Sequence, residues 1–372
     1  MQIVIAGSSG FLGTHLSDEL IRRGHAVTAL VRRPSSAPDE STWDPYAGIY
    51  DRGVIEGADV VVNLAGAPTA GNPHSKKWAR ELRESRVTTT RLLARAIAEA
   101  DRPPAFLAGN GISWYGDHGA DVLTEESDSR GDSLLTRVTR EWQAAADPAV
   151  EAGARVCVLR TSPVMDRRSE PLRQLRLVFR LGLGARLGHG EQHMPMVSLR
   201  DWVGGVAHLA EHETASGPFN LTCPETPTNA EFTQTLATAL HRPVLVVAPR
   251  TLLKVAAGQM APELLGSLNV RPAALEQAGY GFRDRDVTAV LAAGLARAHT
   301  RATRHSPATR RSTTVRRVAR SRGSPTRIPC PTATACASRS VTTSTIRPVA
   351  RLRTFPASSC VLIPRTRSPR AP

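Results

Sequence analysis

The sequence predicts an α/β fold: a doubly wound parallel sheet, a smaller α+β lobe after it, and a disordered basic tail. Three observations predict it. Short β-branched runs alternate with amphipathic helical stretches as far as Arg160, a glycine-rich turn separates the first run from the first helix, and the composition breaks near Thr300.

Taken in order, Gln2 to Ala6 reads as a buried strand that enters the glycine turn, and Phe11 to Arg23 carries Phe11, Leu12, Leu16, Leu20 and Ile21 at helical spacing. Gly24 ends that helix. Ala26 to Val31 and Asp59 to Leu64 read as further strands, and Trp78 to Ala100 as a long helix with Trp78, Leu82, Leu92, Leu93 and Ile97 on its apolar face. Two more strands, Ala105 to Ala108 and Arg155 to Leu159, flank a helix near Leu134 to Ala146. Beyond Arg160 the alternation weakens. Phe219 to Leu221, the helix signal Thr228-Asn229-Ala230-Glu231 opening onto Phe232 to Leu240, and Val244 to Val247 suggest the smaller lobe, reaching to about Ala298. The expected division is residues 1–218 with an insertion at about 166–200, a lobe at 219–298, and a tail from 299.

The formal charge of +15 points at first to nucleic acid. It sits in the tail. From Arg301 to Pro372 there are sixteen Arg and no Lys, Asp or Glu, which leaves the body with about as many basic residues as the chain's 33 acidic ones. Polyanion binding by the folded part loses its support, and the tail, with few large apolar groups, cannot bury enough surface to order itself. Its abrupt onset is what an out-of-frame reading of a GC-rich gene would give, with a functional basic arm as the alternative. Five Cys without a CxxC pair, no export signal and no apolar run of membrane length point to a soluble, cytoplasmic protein without a metal site.

The chemistry begins at Gly7-x-x-Gly10-x-x-Gly13, directly between strand and helix. Backbone N–H groups and the positive end of the helix can receive a pyrophosphate there, so Gly7, Ser9, Gly10, Phe11, Leu12 and Gly13 are expected to hold a dinucleotide on a Rossmann-type sheet. After the second strand, where an acid would bind the ribose diol of NAD, the chain reads Val31-Arg32-Arg33 with no acid before Asp39. Arg32 could clamp a 2′-phosphate, which favours NADP(H), or be a solvated surface residue. Asn63-Leu64-Ala65-Gly66 ends the strand at Asp59 to Leu64 and would line the adenine-ribose side, unless Ala-Gly serves only close packing.

These residues, together with Glu81 to Thr90, Ser113-Trp114-Tyr115-Gly116-Asp117, Phe179 to Gly184 and Asn220 to Phe232, resemble the atypical extended short-chain dehydrogenase/reductase family described as sugar-nucleotide epimerase-like. The resemblance covers about Met1 to Ala298. It implies an NADP-binding domain, a small C-terminal domain of unassigned role, and cofactor contacts at Val31, Arg32, Leu64, Ala65, Glu81, Arg86 and Val164.

One feature of the wider superfamily is missing. Its Tyr-x-x-x-Lys pair uses a cation to lower the tyrosine pKa, so that the phenol exchanges a proton with a substrate hydroxyl. The four tyrosines here, Tyr46, Tyr50, Tyr115 and Tyr280, are followed four residues later by Tyr50, Val54, Gly119 and Asp284, and the expected helix reads Leu134-Leu135-Thr136-Arg137-Val138-Thr139. Tyr115, just beyond a strand end, is the remaining candidate for proton transfer, with Asn110 as its hydrogen-bond partner; Trp114 and Tyr115 as plain pocket walls is the alternative. His189 and His193 lack metal spacing, and Ser198 or Asp201 should cap the helix beginning at Trp202. The expected protein is an NADP(H)-dependent oxidoreductase or epimerase acting on a small polar, sugar-nucleotide-like substrate. A non-catalytic NADP(H)-binding sensor or scaffold is the competing expectation.

Overall fold

A computed structural model describes residues 1–244 and 246–296; the tail lies outside the described residues. The first half runs β1 (Gln2–Ala6), α1 (Phe11–Arg22), β2 (Ala26–Val31), β3 (Glu40–Thr42), α2 (Arg52–Glu56), β4 (Val60–Asn63), α3 (Lys76–Ala98), β5 (Ala105–Gly111), a 3-10 turn (Ile112–Trp114), β6 (Val122–Leu123), α4 (Leu134–Ala144), α5 (Asp147–Glu151) and β7 (Val156–Thr161). The remainder runs β8 (Val164–Met165), α6 (Glu170–Arg180), β9 (Ala185–Leu187), β10 (Val197–Ser198), α7 (Leu199–Glu211), β11 (Gly217–Leu221), α8 (Asn229–Leu240), β12 (Val246–Ala248), α9 (Arg250–Ala257), α10 (Ala261–Leu265), β13 (Asn269–Val270), α11 (Ala273–Gln277) and α12 (Val287–Leu295).

Seven strands form one parallel sheet in the order β3-β2-β1-β4-β5-β7-β11. The order reverses direction at β1, between β2 and β4. In open sheets of this kind the connections on either side of that point leave for opposite faces and open a crevice at the strands' carboxyl ends. Strands β1, β4, β5 and β7 are buried on both faces, which explains their continuous apolar character. On one face Ile3, Ile5, Val60, Val62, Leu107 and Leu159 pack under α1 and α7 with Trp202. On the other, Val4, Val61, Phe106 and Val158 pack under α3 and α5 with Leu93 and Ile97.

Phe219 to Leu221, expected in the smaller lobe, instead lies in the main sheet as edge strand β11, paired with β7 from Gly217↔Cys157 to Leu221↔Thr161. The reason is packing: Phe219 and Leu221 alternate into the α7 side of the core. The rest of the late chain forms small parallel ladders outside that sheet, β12 on β9 and β13 on β6. It has its own core of Met165, Leu172, Phe179, Phe232, Leu236 and Leu291. The Thr228 signal forms a complete capping box with Glu231 at the start of α8. Ser198 caps α7, which begins three residues before Trp202, while buried Asp201 accepts from the backbone N–H groups of Arg283 and Asp284.

Candidate cofactor and substrate site

The turn after β1 is closed by backbone alone. Gly7 has φ +83°, and a Cβ there would lie 2.7 Å from the Leu64 carbonyl carbon and 2.8 Å from the Ala65 nitrogen, at the end of β4. A Cβ on Gly13 would stand 2.2 Å from the Gly7 carbonyl oxygen. Glycine is required at both positions, because the backbone segments touch. Helix α1 has no side-chain cap at Gly10, whereas α2, α3, α4, α7, α8 and α12 are each capped by a side chain. Its first N–H groups therefore keep their capacity to bind an anion. Ser9 and Gly10 are exposed, Phe11 and Leu12 half-buried against the α1–α7 core.

On the β2 side, Val31 ends the strand and the two arginines that follow differ. Arg33 donates to Glu40 at 2.8 Å, whereas exposed Arg32 pairs with none of the described residues. Since β2 neighbours β1, Arg32 follows the strand beside the one that enters the cradle.

On the β4 side, the buried Asn63 side chain accepts from the Ala65 N–H at 3.0 Å and donates to Thr90 at 2.8 Å, so α3 fixes the Leu64-Ala65 backbone. Arg86 donates to the Ala67 carbonyl at 3.0 Å and to the Thr69 hydroxyl at 3.1 Å, and its guanidinium lies 5.2 Å from the Trp142 ring. Burial without a carboxylate partner pushes it down to about 10. Glu81 lies five residues earlier, about 140° around the helix; it is exposed, 3.8 Å from Lys77. Arg86 thus meets the crevice loop, and Glu81 does not share its face.

Farther along the same edge, Asn110, Arg160 and Asn220 stand side by side on β5, β7 and β11. The expected pairing of Tyr115 with Asn110 does not form. Tyr115 is completely buried; its phenol donates to Asn220 at 2.8 Å and accepts from Arg160 at 2.9 Å, while the Asn110 amide donates to the Thr139 carbonyl at 3.1 Å. The Arg160 guanidinium stacks 3.5 Å from the Trp114 ring. Burial raises the phenol's pKa and lowers that of Arg160. With both sides of the phenol taken internally, Tyr115 does not face a pocket.

The site residues missing from the sequence expectation are Ser162, Ser113, Ser133 and Glu263. Ser162 follows β7, next to buried Val164, and its hydroxyl is buried with no partner among the described residues. Ser113 and Ser133 both donate to Glu263, at 2.6 and 2.9 Å. No spacing signal links residues 130 and more positions apart.

The cradle fits a dinucleotide on its own chemistry: uncapped N–H groups, backbone closure that side chains would block, one uncommitted cation, and an orphan hydroxyl on the far side. A cavity of about 880 Å³ lies elsewhere, on the flank of α1, walled by His15, Arg22, Arg200 and Tyr280 among others and by none of the cradle glycines. Among the described residues no group of three or more His, Cys, Asp or Glu could hold a metal, and no helix is long and apolar enough to cross a membrane.

Fold and crevice together define a dinucleotide-binding α/β protein of the Rossmann type. The chain belongs to the NAD dependent epimerase/dehydratase family, whose model matches residues 3–222; residues 248–293 match a domain of unknown function, DUF1731. An epimerase family protein of Mycobacterium leprae is 36% identical over 296 residues, covering 79% of this chain and 96% of its own. The crystal structure of human epimerase family protein SDR39U1 with NADPH is 31% identical and covers 78% of this chain and 98% of that one, with a TM-score of 0.69. A nucleoside-diphosphate sugar epimerase from Corynebacterium glutamicum is 32% identical with a TM-score of 0.64, covering 79% of this chain and 58% of a longer one.

Proposed function

We propose that this chain is an NADP(H)-dependent oxidoreductase of the epimerase type, acting on a small polar substrate, with sugar nucleotides as the class to test first. The observation that carries the cofactor is the uncommitted Arg32 beside an uncapped, glycine-closed cradle. Gly7, Ser9, Gly10, Phe11, Leu12 and Gly13 would hold the pyrophosphate, Val31 and Arg32 the 2′-phosphate end, and Leu64, Ala65 and Arg86 the crevice wall. Val164 and the orphan hydroxyl of Ser162 would lie toward the nicotinamide. The NADPH bound to the human relative and the name of the corynebacterial one support this reading. When bound, the nicotinamide supplies reversible hydride transfer; the chain's part is to orient the carbinol or carbonyl carbon and to move the proton on its oxygen.

A cytoplasmic setting belongs to the same proposal. Cys157 and Cys223 are buried and free, the state expected of thiols in a reducing compartment. A sensor or scaffold without turnover is the second reading, favoured by the missing Tyr-x-x-x-Lys pair and the locked Tyr115.

Fluorescence titration with NADPH and NADH tests the cofactor. Tighter NADPH binding, with the preference lost in Arg32→Ala, supports it; equal affinities in the unaltered protein defeat it.

A further inference from the structure

The late segment of the chain lays α10 across the turn that follows β5. Ser267 donates its backbone N–H to the Asp117 carboxylate at 3.1 Å, and the His118 N–H donates to the Ser267 carbonyl at 3.3 Å. This seats Glu263 between two elements of the main domain. One carboxylate oxygen accepts from Ser113, in the 3-10 turn at the carboxyl end of β5, and the other from Ser133, the N-cap of α4. Ser133 also contacts the Thr136 hydroxyl at 2.8 Å. Helix α4 is the helix on which the Tyr-x-x-x-Lys pair is expected, and a Cβ on Gly111, at the end of β5, would touch its Thr139 methyl at 3.2 Å. Glu263 therefore reaches the carboxyl end of β5 and the start of α4 together.

The cluster is a poor structural ion site. Glu263 has no cationic partner among the described residues, although a carboxylate bridging two domains for stability alone would be better served by one. Several ionisable groups on the surrounding elements are engaged elsewhere: Asp117 with Ser267, Arg137 with the Asp132 carbonyl, Arg250 near the Leu265 carbonyl, and Arg83 with Glu141; Lys76 and Arg80 lie along the outer α3–α4 cleft. Burial raises the Glu263 pKa, opposed only in part by the two serine hydrogen bonds.

We propose that Glu263, working through the Ser113 hydroxyl, is the proton-transfer group of this site for substrates reacting at a carbinol or carbonyl carbon. The inference rests on the NADP(H) reading above. In the oxidising direction the substrate O–H bond breaks, its proton passes to Ser113 Oγ, and the Ser113 proton passes to the Glu263 carboxylate. Hydride leaves the same carbon for the oxidised nicotinamide, and a C=O bond forms. The products are a carbonyl compound, NADPH and a neutral Glu263; reduction reverses each transfer. The domain of unassigned role thereby supplies the acid–base group that the first domain lacks, and Ser133 holds that group in place.

The test uses the full chain, with sugar nucleotides and small carbonyl compounds as probes and absorbance of NADPH as the signal. Glu263→Gln is expected to lower kcat by about a hundredfold to ten-thousandfold, with KM and NADPH affinity within about twofold, and Ser113→Ala should lower kcat in the same way. A second readout is independent of turnover. A carboxyl whose folded pKa is raised lends stability that is present below the unfolded value, near 4.3, and is lost as pH rises through the folded value. Melting temperature of the unaltered protein should therefore fall relative to Glu263→Gln as pH rises above about 4. Full kcat in folded Glu263→Gln overturns the proposal. So does NADPH binding without turnover of any probe, which leaves the cofactor reading intact; absence of NADPH binding defeats that reading itself.

Discussion

The cradle after β1 and the cluster after β5 occupy the same edge of one sheet and are built by opposite means. The cradle is backbone: two glycines permit segments to touch, and the helix behind them is left uncapped. The cluster is side chain: Tyr115 meets Arg160 and Asn220, and Ser113 and Ser133 meet Glu263, each across long stretches of sequence. The difference teaches that a common ligand part can be held by local geometry that many chains share, whereas the variable reacting end is assembled by pairs that only the completed fold brings together.

The largest effect should come from the side-chain end. Tyr115→Phe keeps the ring but strips Arg160 of a hydrogen-bond acceptor and Asn220 of a donor, at about 1–3 kcal/mol for each buried group left unpaired. Thermal or chemical unfolding should show that loss with NADPH affinity unchanged. A variant as stable as the parent would mean that the pair contributes nothing, and the comparison would lose its second half.

Next comes the backbone end. Gly13→Ala forces a methyl into the Gly7 carbonyl, which should cost about 1–3 kcal/mol of stability. It should weaken NADPH by tenfold or more, roughly 1.4 kcal/mol. Unchanged affinity would move the pyrophosphate away from this turn.

Arg32→Ala sharpens the contrast with a smaller effect confined to the ligand. Loss of a charge-assisted bond worth roughly 1.5–3 kcal/mol should weaken NADPH about tenfold to a hundredfold and leave NADH and stability alone. Equal weakening of both cofactors would show that Arg32 does not read the 2′-phosphate.

The same contrast explains what the sequence could reveal. Strands β1 and β2 are bounded as the apolar runs suggest, and the Gly7 to Gly13 spacing marks the cradle because its glycines lie within seven residues, although Leu64 and Ala65 close it from β4. The Thr228–Glu231 cap is local too, and it forms. Phe219 to Leu221 joins the main sheet rather than the lobe because two apolar residues flanking Asn220 carry no record of which sheet they join; that depends on the register with β7. Tyr115 turns away from the expected pocket: a position beyond a strand end does not say which way a side chain turns, and the buried Arg160 that captures it lies 45 residues away. Glu263 was invisible for the same reason, 150 residues from Ser113.

Hydrogen–deuterium exchange of the full chain with and without NADPH tests whether the cofactor lies in the crevice around β1. Protection concentrated at residues 7–13, 31–32, 64–67 and 162–164 is the predicted result. Protection confined to the walls of the α1-flank cavity, around Arg22, Arg200 and Tyr280, or no protection at saturating NADPH, would contradict it.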